Sequence, residues 1–268
     1  MKENEAWTLL FIADIIGKPG LEIVARLLPG LQQQYQPDLV IANGENAAEG
    51  KGITAALAKQ YRALGIDVIT GGNHTWENPE VFKVWQKDEE LSSRVLRPAN
   101  YPPPNPGRGY TLVDIEEGIK AAVINLQGRT YLYAIDCPFR TADEILRRID
   151  RQASVVIVDF HAEATAEKMA LAWHLDGRVS AVIGTHTHVP TADEQILPGG
   201  TAYLTDLGMT GPFDSVIGMK KETAIKRFMR GVPMRFEVAS GNVRLCGALI
   251  RISKETMKAV SIERLFLQ

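Results

Sequence analysis

Short apolar runs alternate along the first third of the chain with segments in which apolar side chains recur at helical spacing. Runs of four to eight apolar residues are typical of buried strands, and apolar positions three and four residues apart are typical of helices. Residues 17–20, Gly-Lys-Pro-Gly, predict a turn before the first helix. Strands are predicted at 8–14, 38–45 and 67–74, and helices at 21–35, 54–65 and about 79–88.

The middle of the chain departs from this alternation. Residues 101–110 contain four prolines and predict a loop, which could cover a site, and residues 111–126 predict a hairpin around 116–118. Alternating strands and helices indicate βαβ units, so we predict one α/β domain with two sheet systems over 1–268. The remaining predictions are helices near 141–150 and at 163–174, strands at 154–161 and 180–188, and an antiparallel meander in the tail (200–206, 235–240, 242–253 and 259–267).

Polar residues that can bind metal follow the predicted strands. Ligand sites in open α/β sheets lie beyond the carboxyl ends of the strands, so these side chains can converge although they are distant in sequence. Four of the five histidines of the chain occupy such positions. The polar strand ends are Asp14, Glu45 with Asn46, Asn73 with His74, His161, and His186 with His188.

The chemistry of these residues favours a divalent metal centre. Carboxylate, amide oxygen and imidazole together suit manganese, iron or zinc. If Asp14 and Glu45 are the only anionic ligands, two divalent ions and one hydroxide leave a single positive charge, which a phosphodiester monoanion would neutralise. Glu45 has two carboxylate oxygens and could bridge the ions. This net charge favours a site that hydrolyses phosphate esters.

Each of these positions also has a simpler interpretation. Asp14 alone could be a helix cap, and residues 43–46 could be only a turn. His186 and His188 are the most specific pair, because residues two apart in an extended segment point the same way. His174 falls late in a predicted helix, and we expect it to be packed or solvated.

Composition narrows the classes of function. The 268 residues carry a net charge of −2, whereas proteins that hold long nucleic acids usually show a basic excess. The basic stretch of Lys220, Lys221, Lys226, Arg227 and Arg230 is therefore interpreted as a solvated helix face, with nucleic-acid binding as the alternative. Cys137 and Cys246 have no metal-binding spacing. No apolar run is long enough for a secretory signal or a membrane span, so we expect a soluble, cytoplasmic protein without a membrane partner.

The motif set resembles the calcineurin-like metallophosphoesterase superfamily. Two blocks depart from the common pattern: Ile16 stands where Asp-x-His would place a histidine, and Gly44-Glu45-Asn46 replaces Gly-Asp-x-x-Asp. Both departures match one bacterial branch, the YmdB-like phosphodiesterases. The matching segments are 14–17, 44–46, 72–74, His161, 184–188, 208–212 and 214–218.

The resemblance implies a four-layer α-β-β-α sandwich and a dinuclear centre, with iron favoured and manganese or zinc as alternatives. It also implies His74 as a proton donor rather than a ligand, a bridging and catalytic role for Glu45, and a homo-oligomer. Carried over by position, one ion would be held by Asp14, Glu45, Asn46 and His188, and the other by Glu45, Asn73, His161 and His186.

The resemblance further implies hydrolysis of a small-molecule substrate, a 2′,3′-cyclic nucleotide. In this interpretation a bridging hydroxide attacks phosphorus, His74 protonates the departing ribose 2′-oxygen, and the product is a 3′-nucleotide. One alternative is a phosphomonoesterase or a phosphodiesterase of broad specificity. Another, from a different class, is a metal-containing regulatory binding protein.

Overall fold

The computed structural model describes residues 5–235 and 237–268. The strands are β1 (Ala6–Ile12), β2 (Asp14–Ile15), β3 (Leu39–Asn43), β4 (Val68–Thr70), β5 (Tyr110–Glu116), β6 (Ile119–Gln127), β7 (Val155–His161), β8 (Ala181–Thr185), β9 (Gln195–Ile196), β10 (Ala202–Leu204), β11 (Met209–Pro212), β12 (Val243–Ser253) and β13 (Ala259–Leu267). The helices are α1 (Gly17–Tyr35), α2 (Ala55–Ala63), α3 (Val81–Lys87), α4 (Glu89–Arg94), α5 (Pro138–Arg148), α6 (Thr165–Leu175) and α7 (Lys221–Arg230).

Two β-sheets result from these strands. The first has the order β2-β11-β12-β1-β3-β4, with β13 paired to β12, and the second has the order β5-β6-β7-β8-β10-β9. Strands β1, β3 and β4 pair in parallel, as do β6, β7, β8 and β10. Every residue of β3, β7 and β8 is buried. Continuous apolar runs of this kind belong to parallel strands covered on both faces.

Three apolar clusters form the core. One joins side chains of both sheets, such as Phe11 and Ile157, and therefore lies between them. A second packs α1 and α2 against the first sheet, and a third packs α5 and α6 against the second. The chain is thus a mixed α/β protein in which helices lie against the two sheets. Within residues 5–235 and 237–268, no helix is both long and apolar enough to cross a membrane.

The predicted turn at 17–20 is wrong, because α1 begins at Gly17. Pro19 lies in the first helical turn, where its missing amide hydrogen has no carbonyl partner to satisfy. The predicted helix at 79–88 is observed as α3, which begins at Val81 and ends before Asp88. The carboxylate of Asp88 accepts a hydrogen bond of 3.1 Å from the amide of Leu91 and so caps α4, a further helix that was not predicted. The strand predicted at 67–74 ends at Thr70, before two glycines.

The predicted meander is correct only for β12 and β13, which form an antiparallel pair. β10 instead joins the second sheet, parallel to β8. Among the described residues of 235–240, only Val238 forms a bridge, and its partner is Met219. Backbone hydrogen bonds of this segment join it to the loop at 218–220 rather than to a strand. Phe236, in the same predicted strand, lies outside the described residues.

Candidate metal centre

The carboxyl ends of strands from both sheets meet at one place. Asp14 opens β2, directly after β1, and Glu45 and Asn46 follow β3. His161 is the last residue of β7, where the parallel register sets it beside Thr185 at the end of β8. Asn73 follows β4. The fold therefore brings strand ends from distant parts of the sequence into a single cluster.

His161 lies at the centre of one half of this cluster. Its Nε2 atom is 2.9 Å from Oε1 of Glu45, 3.0 Å from Oδ1 of Asn73 and 3.0 Å from Nδ1 of His186. Glu45, His161 and His186 each offer a ligand atom within 4.8 Å of the other two. Together with Asn73, these three residues make up one of the two ligand sets expected from the sequence.

Asn46 lies at the centre of the other half. Its Nδ2 atom is 3.4 Å from Oδ1 of Asp14, 3.4 Å from Oε1 of Glu45 and 3.2 Å from Nε2 of His188. Nε2 of His188 also lies 3.8 Å from Oδ1 of Asp14. Glu45 contacts both halves, so the seven residues form one continuous cluster. Their role as ligands stays a prediction.

The hydrogen bonds of His161 determine which of its ring nitrogens is free. Thr185 Oγ1 lies 2.9 Å from Nδ1 of His161 and donates at 2.7 Å to Oδ1 of Asp159. An Oγ1 that donates to the carboxylate must accept from the ring, so Nδ1 carries a hydrogen and Nε2 is the nitrogen that faces the cluster. Nε2 faces acceptor oxygens of Glu45 and Asn73. A positive charge at this place satisfies those oxygens, either as a proton on Nε2 or as a cation that replaces it, and the residues therefore fit a metal ion.

The charges of the cluster shift the pKa values of its members. Burial favours the neutral form of Glu45, but the charge of His161 and its hydrogen bond outweigh burial and lower the pKa of Glu45 to about 2. For His161, burial is outweighed by the Glu45 carboxylate, which raises its pKa to about 9. Burial and the charge of His161 lower the pKa of His186 to about 3. Burial, with Glu45 adding to it, raises the pKa of Asp14 well above its usual value. Without an ion, a proton on His161 therefore supplies the positive charge that the cluster requires.

Gly72 permits the close approach of these side chains. A Cβ atom at this position would lie 2.3 Å from Oε2 of Glu45 and 2.3 Å from Nε2 of His161. Both contacts are far inside van der Waals distance, so any other residue would displace the ligands. Gly72 is thus explained by the site itself, whereas a Cβ at Gly71 would lie against Thr75 and the carbonyl of Leu96.

The segment after β8 is not extended, contrary to the reason given above for pairing His186 with His188. The backbone φ angles are 103° at His186 and 63° at His188, and strand β8 ends at Thr185. Non-glycine residues with positive φ cost about 1–2 kcal/mol each and persist only where the surroundings impose them. Both imidazoles nevertheless reach the cluster, one in each half.

A buried ion pair supports this strained segment. Nζ of Lys168, on α6, lies 2.6 Å from Oδ2 of Asp206, and both side chains are almost wholly buried. The same carboxylate accepts hydrogen bonds from the amides of Thr187 at 3.0 Å and Gly208 at 2.8 Å. Asp206 therefore anchors the backbone between the two histidines.

Sequence reasoning did not identify Asp159, Thr185, Lys168, Asp206 or Glu163 as contributors to the site. Glu163 holds the outer ring nitrogen of His186 at 3.0 Å. Asp159 did leave a signal, since it is the one charged residue inside the apolar run 154–160. The others follow only from tertiary contacts.

His74 lies at the edge of the cluster. Its backbone amide donates to Oε2 of Glu45 at 3.1 Å, and its Nδ1 lies 2.7 Å from Oε1 of Glu77. Glu77 is also paired with Lys51, at 2.6 Å. The side chain of His74 reaches the open cavity beside the cluster, together with Glu45, Asn46, His186 and His188. This cavity has a volume of about 550 Å³ and can admit a nucleotide-sized molecule.

These observations define a class of protein that has a mixed α/β fold and a candidate metal centre beyond the carboxyl ends of its strands. The chain belongs to the YmdB-like protein family, whose model matches residues 10–265. The family resemblance drawn from the sequence motifs is thereby confirmed.

Three relatives cover nearly the whole chain. The 2′,3′-cyclic-nucleotide 2′-phosphodiesterase of Bacillus subtilis (strain 168) is 50% identical over 97% of this chain and 96% of its own length. A crystal structure of a protein from Thermus thermophilus superposes with a TM-score of 0.89 and 42% identity, covering 97% of this chain and 98% of that one. A crystal structure of a Mycoplasma pneumoniae phosphatase gives a TM-score of 0.87 at 34% identity, covering 98% and 93%.

Proposed function

We propose that this protein is a metal-dependent phosphodiesterase that hydrolyses 2′,3′-cyclic nucleotides to 3′-nucleotides. The observation that carries the proposal is the convergence of seven carboxylate, amide and imidazole side chains beside a nucleotide-sized cavity. The 50% identity to a phosphodiesterase of this specificity supports the choice of substrate.

The cluster would hold two divalent ions. Glu45, Asn73, His161 and His186 would bind one ion, and Asp14, Asn46 and His188 would bind the other together with Glu45. When bound, such ions supply a nucleophilic hydroxide near neutral pH and neutralise charge on the phosphoryl oxygens. The chain contributes the orientation of the ligands: the Asp159–Thr185 relay fixes His161, and Glu163 fixes His186.

His74 would be the general acid. Its Nδ1 is held by the Glu77 carboxylate, so the ring orientation is fixed and Nε2 is left to face substrate. The protonated ring donates from Nε2 to the ribose 2′-oxygen as the bond from that oxygen to phosphorus breaks.

We also propose that the two sheets and the helices on their outer faces form the four-layer α-β-β-α sandwich of calcineurin-like metallophosphoesterases, as one domain over 1–268. The three apolar clusters support this arrangement, since one lies between the sheets and the other two lie between a sheet and its helices. Iron as the native metal, a homo-oligomeric state and a cytoplasmic location stay predictions from the resemblance.

A phosphomonoesterase is the second candidate, because one structural relative is described as a phosphatase. A substrate panel separates the two. Mn²⁺-loaded protein is assayed on 2′,3′-cyclic AMP and on 3′-AMP, with products identified by ³¹P NMR. We expect conversion of the cyclic nucleotide to 3′-AMP, which then accumulates. Rapid release of inorganic phosphate from 3′-AMP, with slow opening of the cyclic ester, would favour the phosphomonoesterase.

A further inference from the structure

The cavity beside the metal cluster extends well past it. Its inner wall contains Glu45, Asn46, His186 and His188, and its outer wall is formed by α7 and by residues 233–235. From α7, the side chains of Arg227 and Phe228 line the cavity, and Arg235 lines it from the segment that follows. The cavity therefore joins the candidate metal centre to a mainly apolar wall that carries Arg227, Arg235 and Phe228.

The cationic side chains of this wall differ in how their charges are balanced. Lys51 is neutralised by Glu77, at 2.6 Å. The pKa of Glu237 is lowered mainly by Lys220, whose Nζ lies 2.7 Å from its carboxylate, and also by the charge of Arg235. Within the part of the chain that the structure describes, neither Arg227 nor Arg235 has a carboxylate within ion-pair distance. Arg235 therefore has an acidic neighbour that is already paired, and neither arginine forms an ion pair.

A 2′,3′-cyclic phosphate does not account for these charges. Two divalent ions and one hydroxide, held by the Asp14 and Glu45 carboxylates, would leave one positive charge, which the cyclic phosphate monoanion would already neutralise. Two arginines outside ion pairs in the same cavity match a further phosphate, because guanidinium groups bind phosphate oxygens through paired, charge-assisted hydrogen bonds.

We propose that Arg227 and Arg235 bind a second phosphate of the substrate, attached to the 5′-oxygen of the nucleotide that carries the cyclic phosphate. The inference rests on the proposed function and specifies its substrate class. Such a phosphate belongs either to a 5′-phosphorylated cyclic nucleotide or to the 3′ end of a short RNA. Phe228 is 80% exposed and offers a stacking surface for the base of a preceding nucleotide.

The basic stretch at 220–230 is therefore not uniform. Lys226, Arg227 and Arg230 are all exposed on α7, but of the stretch only Arg227 lines the cavity. Two phosphate-binding arginines suit the terminus of an oligonucleotide and do not provide the extended basic surface that a long nucleic acid requires.

The experiment compares three substrates on the full-length, Mn²⁺-loaded protein: adenosine 2′,3′-cyclic phosphate, the same nucleotide with a 5′-phosphate, and the dinucleotide ApA ending in a 2′,3′-cyclic phosphate. We expect kcat/KM for the two 5′-substituted substrates to exceed that for the plain nucleotide by roughly ten- to hundred-fold. A higher kcat/KM for the 5′-phosphorylated nucleotide than for the dinucleotide would identify a free nucleotide as the substrate. A higher kcat/KM for the dinucleotide would identify an RNA end.

The variant Arg227→Ala/Arg235→Ala should lose most of this preference, while Arg230→Ala, with the same residue type on the same helix, should keep it. Equal kcat/KM values for the three substrates in the unmodified protein, or a preference that survives the double substitution, would overturn the proposal. If no cyclic nucleotide is hydrolysed, the second phosphate site is tested by measuring nucleotide affinity instead. Adenosine 3′,5′-bisphosphate should then bind at least about ten-fold more tightly than 3′-AMP, in an Arg227- and Arg235-dependent manner, and equal affinities would contradict the second phosphate site.

Discussion

Nε2 of His161 lies within 3.0 Å of atoms from three other candidate ligands, while Nδ1 of the same ring is held by Thr185. A ring fixed in this way presents Nε2 in a single direction. The geometry of the whole cluster therefore depends on a hydroxyl and a carboxylate, Thr185 and Asp159, that do not themselves reach the cluster centre.

Thr185→Val tests this dependence, because it removes the hydroxyl and keeps the shape of the side chain. We expect the affinity for Mn²⁺, measured by titration calorimetry, to fall by roughly 10–100-fold. Thr185→Ser retains the hydroxyl and should stay close to the unmodified protein. Unchanged Mn²⁺ affinity in the valine variant would show that the relay does not orient His161.

His74→Ala tests the general acid. We expect metal content to be retained and kcat on 2′,3′-cyclic AMP to fall about 10²–10⁴-fold. The loss should be much smaller on bis(p-nitrophenyl) phosphate, whose leaving group needs no proton. His174, which lies on α6 and contacts Asp143 at 3.0 Å, provides the matched control, since His174→Ala changes no group of the cavity. Equal losses on both substrates would assign His74 a structural role instead.

At the scale of elements, the loop after β8 depends on support from α6. Its two histidines hold unfavourable φ angles, and the Lys168–Asp206 pair holds the peptide between them. A buried ion pair contributes little when complete, but removal of one partner leaves an uncompensated charge.

Lys168→Met should accordingly lower the free energy of unfolding by about 3–5 kcal/mol, measured by urea denaturation. The control is Lys18→Met on α1, where the side chain is 77% exposed and a change within about 0.5 kcal/mol is expected. Similar midpoints for the two variants would mean that the buried charge is compensated elsewhere.

The elements that could be predicted are those whose pattern is local. Strands β1, β3, β7 and β8 are continuous apolar runs, and the sequence places each of them within a few residues of its observed bounds. The residues at 17–20 were misread because glycine and proline are equally compatible with a turn and with the start of a helix. The pairing of β10 with β8 and the left-handed angles of His186 and His188 depend on tertiary contacts, which no local pattern records.

At the scale of the whole molecule, the stability of the metal-free protein should depend on pH through His161. Its folded pKa of about 9 lies above the unfolded value, so its contribution is complete below about pH 6.5 and is lost as pH rises through 9. Each unit of pKa shift corresponds to about 1.4 kcal/mol. The raised pKa of Asp14 acts in the same direction, since burial of its charged form becomes more costly as pH rises.

Chelator-treated protein should therefore melt at progressively lower temperature between pH 6.5 and 9, as followed by circular dichroism. Excess Mn²⁺ should make the melting temperature fall less over this pH range, because an ion replaces the proton as the positive charge of the cluster. His161→Asn provides the comparison, since it has no titrating ring. A melting temperature in the metal-free protein that is constant or rises over this range would contradict the assigned sign.

The convergence of the candidate ligands could be predicted from the sequence, and their roles stay predictions. The seven candidate ligands all follow apolar strands, so the chain order alone brings them to one edge, and the structure places them in contact. The residues that orient them could not be predicted, because Thr185, Lys168 and Asp206 act through contacts between elements that are remote in sequence.

The central claim is that the seven side chains hold two ions and that these ions are required for opening a 2′,3′-cyclic phosphate. Its most direct test is a titration of metal-stripped protein with Mn²⁺, in which bound metal and hydrolysis of 2′,3′-cyclic AMP are measured on the same samples. We expect hydrolysis to rise with the number of bound ions and to saturate at about two ions per chain. Full activity in the stripped protein, or saturation without hydrolysis, would contradict it.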